Sequence, residues 1–174
     1  MIYIVRHGQT NWNLEGRYQG RIDIELNEKG IGQAEKIREE LKDIKFDKIF
    51  ASPLKRAYRT AEIISNGDII KDERLIERCN GELEGKLKED CTDAVDFTDP
   101  NEKRFGIEPL PLFRKRITDF LDDIVEKYKE KDILVVTHAG VSIYIKCYFE
   151  GEPYDNNYSK LKLKNCEVLK INND

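Results

Sequence analysis

The chain has 174 residues, enough for one domain with a full-sized core and too few for two comfortable ones. Charged residues make up 37%, but 30 Lys+Arg against 34 Asp+Glu leave a net charge of only −4. That balance argues against a protein whose main work is wrapping nucleic acid, while leaving room for a small basic pocket.

The four cysteines, Cys79, Cys91, Cys147 and Cys166, show no Cys-x-x-Cys spacing and no nearby histidine. Free thiols are therefore expected and a zinc site is not. The apolar run before Arg6 is too short for the core of a signal peptide, and no stretch approaches the roughly 20 apolar residues of a membrane span. The expectation is a soluble, cytoplasmic protein with no membrane partner.

In chain order, residues 2–5 (Ile-Tyr-Ile-Val) read as a strand apolar on both faces. A polar loop extends to about Leu26. Asn27 then caps a helix with Glu28 in its first turn, and Ile31, Ala34, Ile37, Leu41 and Ile44 recur at helical spacing. Residues 48–51 read as a short strand. Ser52-Pro53 reads as the start of the next helix, with a capping hydroxyl and a proline at the first helical position. That helix carries Leu54, Ala57, Ala61 and Ile64 and stops at Asn66-Gly67. Residues 68–71 suggest a third strand, and 74–85 a loop with two glycines.

Residues 86–109 are the least regular, with Asp99-Pro100-Asn101 as a turn. The strongest helix follows, with Phe113, Ile117, Phe120, Leu121, Ile124, Val125 and Tyr128 in a wide apolar stripe. A strand over 133–136, a largely buried helix over 141–149 ended by Gly151, and two closing strands at 161–163 and 168–171 complete the chain. Alternating strands and helices predict a single-domain α/β sandwich with helices on both faces of the sheet.

Both histidines of the chain, His7 and His138, follow apolar strand segments. The ends of such strands are where open α/β sheets place ligands. An imidazole can attack phosphorus, and the adjacent Arg6 has the side chain best shaped to grip a phosphate. Arg56 falls in the first turns of the helix after Ser52, where a positive charge is disfavoured unless an anion sits beside it. Glu77, in Leu75-Ile76-Glu77-Arg78, is one of several loop acids, with Glu82 and Glu84 as rivals.

Taken together, the segments resemble the histidine phosphatase superfamily, also called the phosphoglycerate mutase-like family. Its pattern is visible in Arg6-His7-Gly8-Gln9-Thr10 with Asn13, in Arg17-Tyr18-Gln19-Gly20, and in Leu26-Asn27-x-x-Gly30 with Gln33-Ala34. It continues in Ser52-Pro53-Leu54-x-Arg56-Ala57 with Thr60-Ala61, and in Leu75-x-Glu77 with Gly81 and Glu84-Gly85. Thr137-His138-Ala139-Gly140 and Asn165-Cys166 close the series.

The resemblance implies a three-layer α/β/α fold with a mostly parallel mixed sheet. It implies His7 as the nucleophile that becomes phosphohistidine, and Arg6, Arg56 and His138 as the cluster that binds the phosphoryl group. Glu77 matches the general acid/base, which must be protonated when it acts as the acid. Asn13 and Gln19, with Gly20 and Ala139 beside the motifs, match positions at or near the phosphate. Arg78 follows Glu77 as in the mutases, where that position contacts substrate. No metal or other cofactor is implied, because two arginines and a second imidazole can stabilise the transferred charge. His7 must also present a bare attacking nitrogen, so its other ring nitrogen should donate to an acceptor such as a backbone carbonyl.

Three functions compete: a phosphomonoesterase acting on a small phosphorylated metabolite, a cofactor-dependent phosphoglycerate mutase, and a non-catalytic domain that binds a phosphorylated ligand or a protein. The segment over 86–109 is a lid much shorter than the insertion of the mutases, which favours entry of water and hydrolysis. Its acids (Asp90, Asp93, Asp96, Asp99, Glu102) and bases (Lys86, Lys88, Lys103, Arg104) give no vote on substrate. Both α-ribazole phosphatases and broad-specificity phosphatases are similar. The oligomeric state is unknown from sequence, since the apolar helix over 141–149 suits a core or an interface.

Overall fold

The computed structural model describes residues 1–91 and 95–172; the lid acid Asp93 lies outside them. Five strands form one sheet: β1 (Ile2–Arg6), β2 (Lys48–Ala51), β3 (Ile69–Lys71), β4 (Ile133–Thr137) and β5 (Val168–Ile171). Their order is β3-β2-β4-β1-β5, and every neighbouring pair is parallel except β1 with β5.

Helices α2 (Glu28–Leu41) and α3 (Lys55–Ile64) cover one face; α4 (Leu110–Lys127) and α5 (Ala139–Glu150) cover the other. Successive strand residues point to opposite faces, so the apolar runs divide between two cores. Tyr3, Val5, Leu134 and Val136 pack with Ala34, Ile37, Ala57 and Ala61, whereas Ile2, Ile4, Ile133 and Val135 pack with Phe113, Phe120 and Ile145. The stripe on α4 buries Phe113, Ile117, Phe120, Leu121 and Ile124. At about 1.5–3 kcal/mol for each such side chain, it is the strongest anchor of its layer.

The structure departs from the sequence reading at four places. The loop after β1 contains a short helix, α1 (Asn11–Glu15), built on a capping box between Thr10 and Asn13 and closed by Gly16 in the left-handed region. Its five residues carry no buried side chain, so no apolar periodicity announces it. Helix α3 begins at Lys55 rather than at Pro53, and no side chain caps it. The Ser52 hydroxyl instead lies 2.7 Å from Nε2 of His138.

Residues 161–163 form no strand. The Leu163 amide donates to the Ser142 hydroxyl and its carbonyl accepts from Arg6, so the backbone groups a ladder would need are already committed. Finally, Ile31 stays on the exposed side of α2 and Ile44 lies beyond its end, which leaves Gly30, Ala34, Ile37 and Leu41 as its buried face.

The chain leaving β1 crosses the start of α2 at backbone contact. Asn27 donates its amide to the Gln9 carbonyl (3.0 Å) and accepts from the Gly30 amide through its side chain (2.9 Å). A Cβ on Gly8 would stand 2.5 Å from the Gly30 carbonyl oxygen, and one on Gly30 would collide with the Gln9 carbonyl. Gly32, two residues along the same helix, faces open space. Substitution of these two glycines should therefore have opposite signs. Gly32→Ala is expected to stabilise by about 0.5–1 kcal/mol through helix propensity. Gly30→Ala is expected to destabilise by about 1–3 kcal/mol through overpacking. Urea unfolding of the two variants checks this; a Gly30→Ala protein as stable as Gly32→Ala would show that the crossing is not tight.

Candidate active site

Strands β1 and β4 are neighbours, and their register pairs Arg6 with Thr137. The residues that follow, His7 and His138, therefore leave the sheet side by side. The His7 amide donates to the Thr137 carbonyl at 2.9 Å, and the two ring centroids lie 5.1 Å apart at 59°. Nδ1 of His7 sits 2.7 Å from the Gly8 carbonyl oxygen. A carbonyl only accepts, so Nδ1 carries the proton and Nε2 keeps a bare lone pair. The Gly8 amide donates to Thr60 Oγ1 (3.0 Å), and Asn165 Nδ2 donates to the His7 carbonyl (2.9 Å). The backbone is thus held on both sides of the ring.

Arg6 and Arg56 approach the same place from β1 and from the first turn of α3. Arg6 donates through Nη1 to the Leu163 carbonyl (2.8 Å). Arg56, 0% exposed, donates through its two Nη atoms to the carbonyls of Ile22 (2.8 Å) and Gly20 (2.7 Å). Those carbonyls take up part of the charge conflict that the sequence assigned wholly to an anion. Both Nε atoms are buried without a hydrogen-bond partner among the described residues. Burial lowers Arg56 to about 10, opposed by the charges of Glu77, Asp23 and Glu84, so it remains a cation at neutral pH. Burial first, and then the charges of Arg56 and Arg6, hold His7 well below the ordinary imidazole range. His138 is lowered in the same way, with the charge of Arg56 next after burial.

Glu77 reaches the site from the loop after β3, which is tied at several points. Thr137 Oγ1 donates to the Leu75 carbonyl (2.8 Å), and Arg116 on α4 donates to the carbonyls of Arg74 (2.6 Å) and Glu77 (3.2 Å). The carboxylate accepts from the Gly140 amide at the start of α5 and from the Arg78 amide, both at 2.9 Å. A carboxylate has roughly four acceptor positions, so others remain for a substrate proton.

These groups line one cavity of about 360 Å³, within the range of small-molecule sites. Nine of the ten residues expected from sequence contribute to it: Arg6, His7, Asn13, Gln19, Gly20, Arg56, Glu77, Arg78 and Ala139. The tenth, His138, is 0% exposed and lies beside His7, 5.1 Å between ring centroids, without forming part of the wall. Asn13 and Gln19 are linked through Thr10, whose hydroxyl donates to Gln19 Oε1 at 2.9 Å. Arg78 is buried, donating to the Phe97 carbonyl (2.7 Å) and the Glu108 carbonyl (2.8 Å), with Nη2 unpartnered among the described residues.

Sequence reasoning missed Lys88, Lys162, Phe97, Tyr144 and Tyr158 in the wall. Lys88, Phe97, Tyr158 and Lys162 come from irregular segments, where no periodicity marks which residues face inward, and Tyr144 lies on the largely apolar helix α5, where it reads as core. Thr60 did carry a signal, being a polar residue one turn after Arg56 on the face of α3 that also holds Ala57 and Ala61.

Among the described residues the wall holds six arginines and lysines (Arg6, Arg17, Arg56, Arg78, Lys88, Lys162) against one carboxylate, Glu77, in a chain of net charge −4. Such a pocket, with an imidazole lone pair at its floor beside two arginines, suits a phosphorylated ligand. Comparison with known proteins agrees. Residues 2–174 match the histidine phosphatase superfamily (branch 1), and the chain belongs to that superfamily.

It is 36% identical over 153 residues to phosphoglycerate mutase-like protein 4 of Arabidopsis thaliana, a match covering 80% of this chain and 66% of the relative, just under two thirds of that protein's length. Phosphoserine phosphatase 1 of Hydrogenobacter thermophilus is 35% identical over 148 residues, 79% of this chain and 70% of the relative. The crystal structure of phosphoserine phosphatase from Entamoeba histolytica in complex with 3-phosphoglyceric acid superposes with a TM-score of 0.78 at 30% identity, covering 96% of this chain and 87% of the other. The expected fold, a three-layer sandwich on a mostly parallel mixed sheet, is the one these proteins share with this chain. Among the described residues, no helix is long and apolar enough to cross a membrane.

Neutral buried histidines make stability depend on pH. An unfolded histidine titrates near 6.5, whereas His7 and His138 titrate well below that in the folded chain. Below about pH 6.5 the unfolded state therefore binds more protons, and acidification favours unfolding by up to about 1.4 kcal/mol per pH unit for each histidine. Unfolding free energies measured in phosphate-free buffer should fall from pH 7 to pH 5. A profile flat over that interval would mean that the imidazoles are protonated in the folded protein.

Proposed function

We propose that the protein is a phosphomonoesterase that hydrolyses a small phosphorylated metabolite through a phosphohistidine on His7. The observation that carries this reading is the hydrogen bond from His7 Nδ1 to the Gly8 carbonyl. It leaves Nε2 unprotonated among buried cations that attract a phosphate dianion.

In the first step Nε2 attacks phosphorus and the ester P–O bond breaks. Arg6, Arg56 and His138 stabilise the charge on the phosphoryl oxygens, and Glu77 gives its proton to the leaving oxygen. In the second, water attacks the phosphohistidine, its proton passes to the Glu77 carboxylate, and the P–N bond breaks to release phosphate and restore His7. Asn13, Gln19, Gly20 and Ala139 border the phosphate, and Arg78 lies beside Glu77, where it meets the rest of the substrate. The single domain, its lid over 86–109 and cytoplasmic residence belong to the same proposal.

Relatives named as phosphoserine phosphatases make phosphoserine and 3-phosphoglycerate the first substrates to test. Lys88 and Lys162 favour such acids as well. Neither has a carboxylate partner among the described residues, although Lys88 lies 5.6 Å from the Tyr18 ring centroid. Burial, followed by the charge of Arg6, lowers both ammonium groups, which a second anionic group on the substrate would offset.

Steady-state assays should include phosphoserine, 3-phosphoglycerate with and without 2,3-bisphosphoglycerate, and glycerol 3-phosphate, with released phosphate and isomerised product both measured. Phosphate release faster than isomerisation is expected; the reverse would make the protein a mutase. Ligand binding with no turnover on any member would make it a binding domain. His7→Ala should lower turnover by at least about 10³-fold. Glu77→Gln should lower it by about 10²–10⁴-fold on alkyl phosphates and far less on p-nitrophenyl phosphate, whose leaving group needs no proton. Equal losses on the two ester types would remove Glu77 from the acid role.

A further inference from the structure

The buried Ser52 hydroxyl was expected to cap α3 and does not. It lies at the end of β2, whose parallel pairing with β4 brings it next to His138, with Oγ 2.7 Å from Nε2. Both residues are 0% exposed. The neighbours of the hydroxyl decide which of the two carries the proton between them. Ser52 Oγ also receives the Leu54 amide at 3.4 Å, and no other acceptor for its proton is present among the described residues. If Nε2 of His138 were protonated, Ser52 would accept from two donors and its own O–H would be buried without an acceptor. With the O–H directed to Nε2, every group of the serine is satisfied. Each arrangement leaves one buried donor unpaired, His138 Nδ1–H in this one and the serine O–H in the other. The other also strands the Nδ1 lone pair, and one further unsatisfied buried group, at about 1–3 kcal/mol, chooses between them.

We propose that Ser52 is a positioning residue that fixes the tautomer of His138, donating to Nε2 and so placing the single ring proton on Nδ1. That nitrogen is buried and has no hydrogen-bond partner among the described residues, like Nε of Arg6 and Nε of Arg56. With Nη2 of Arg78, the site then holds four unpaired N–H donors and one bare nitrogen, His7 Nε2. Burial and the neighbouring arginine charges keep the His138 ring neutral, so a correctly placed single proton is what allows it to donate at all. The two histidines share the Nδ1–H form for different reasons, a backbone carbonyl for His7 and a hydroxyl for His138.

The test uses the full chain labelled with ¹⁵N-histidine. Only two imidazoles contribute to its spectrum, and His7→Gln removes one and so assigns both. Two-bond ¹H–¹⁵N correlations at neutral pH are expected to show both rings protonated at Nδ1 and bare at Nε2. Ser52→Ala should abolish that bias at His138 and leave His7 unchanged, whereas Ser52→Thr, which keeps the hydroxyl, should retain it. In turnover, Ser52→Ala is expected to lower kcat by about 10–100-fold with KM within about threefold, the loss of one well-placed hydrogen bond to a charged group. A wild-type His138 protonated at Nε2 would falsify the assignment, as would a Ser52→Ala spectrum identical to wild type. If the alanine variant fails to fold, the wild-type and threonine spectra still decide. The tautomer measurement needs no substrate, so its outcome is independent of whether the protein proves to be a phosphatase.

Discussion

The parallel register between β1 and β4 is the constraint from which the site follows. Because Arg6 pairs with Thr137, the next residue on each strand is a histidine, and the two rings meet at the same edge of the sheet. A slip of one residue would turn Val5 and Val136 toward the opposite cores and separate the rings. The two-sided burial of both strands makes such a slip costly, since Ile2, Ile4, Ile133 and Val135 belong to one core and Tyr3, Val5, Leu134 and Val136 to the other. Packing far from the chemistry therefore sets the spacing of the imidazoles.

Charge is then concentrated where burial makes it costly. Arg56 has no exposed surface, and Arg6 nearly none. Among the described residues neither has a carboxylate ion pair; each instead leans on backbone carbonyls. This arrangement satisfies the Nη groups while leaving net positive charge and unpaired Nε donors in place. The same cations keep the imidazoles neutral, which a nucleophile requires. A phosphate bound there, as proposed, would relieve the repulsion among the cations and pair the idle donors, returning the cost held in the free site.

Much of this was legible in the chain. The two apolar strands, the cap at Asn27 and the stripe from Phe113 to Ile124 each depend on local periodicity or on one capping side chain, and they appear as read. The motif residues His7, Arg6, Arg56 and Glu77 also converge in one cavity. Ser52 and residues 161–163 were misread for a common reason. A hydroxyl before a helix and a short apolar run carry local preferences, and here distant partners, His138 in one case and Arg6 with Ser142 in the other, outbid them. Lys88 and Lys162 were invisible because irregular segments have no period from which to read an inward face.

The amino-acid order by itself determined the strands, the helices and the types of reactive group, since these depend on neighbours within a few positions. Tertiary structure alone decided that His138 lies buried beside His7 rather than in the cavity wall, that Leu163 and Gly20 hold the two arginines, and that Ser52 meets an imidazole instead of a helix end. Those contacts join residues dozens of positions apart, and only the pairing of strands brings them within hydrogen-bonding reach.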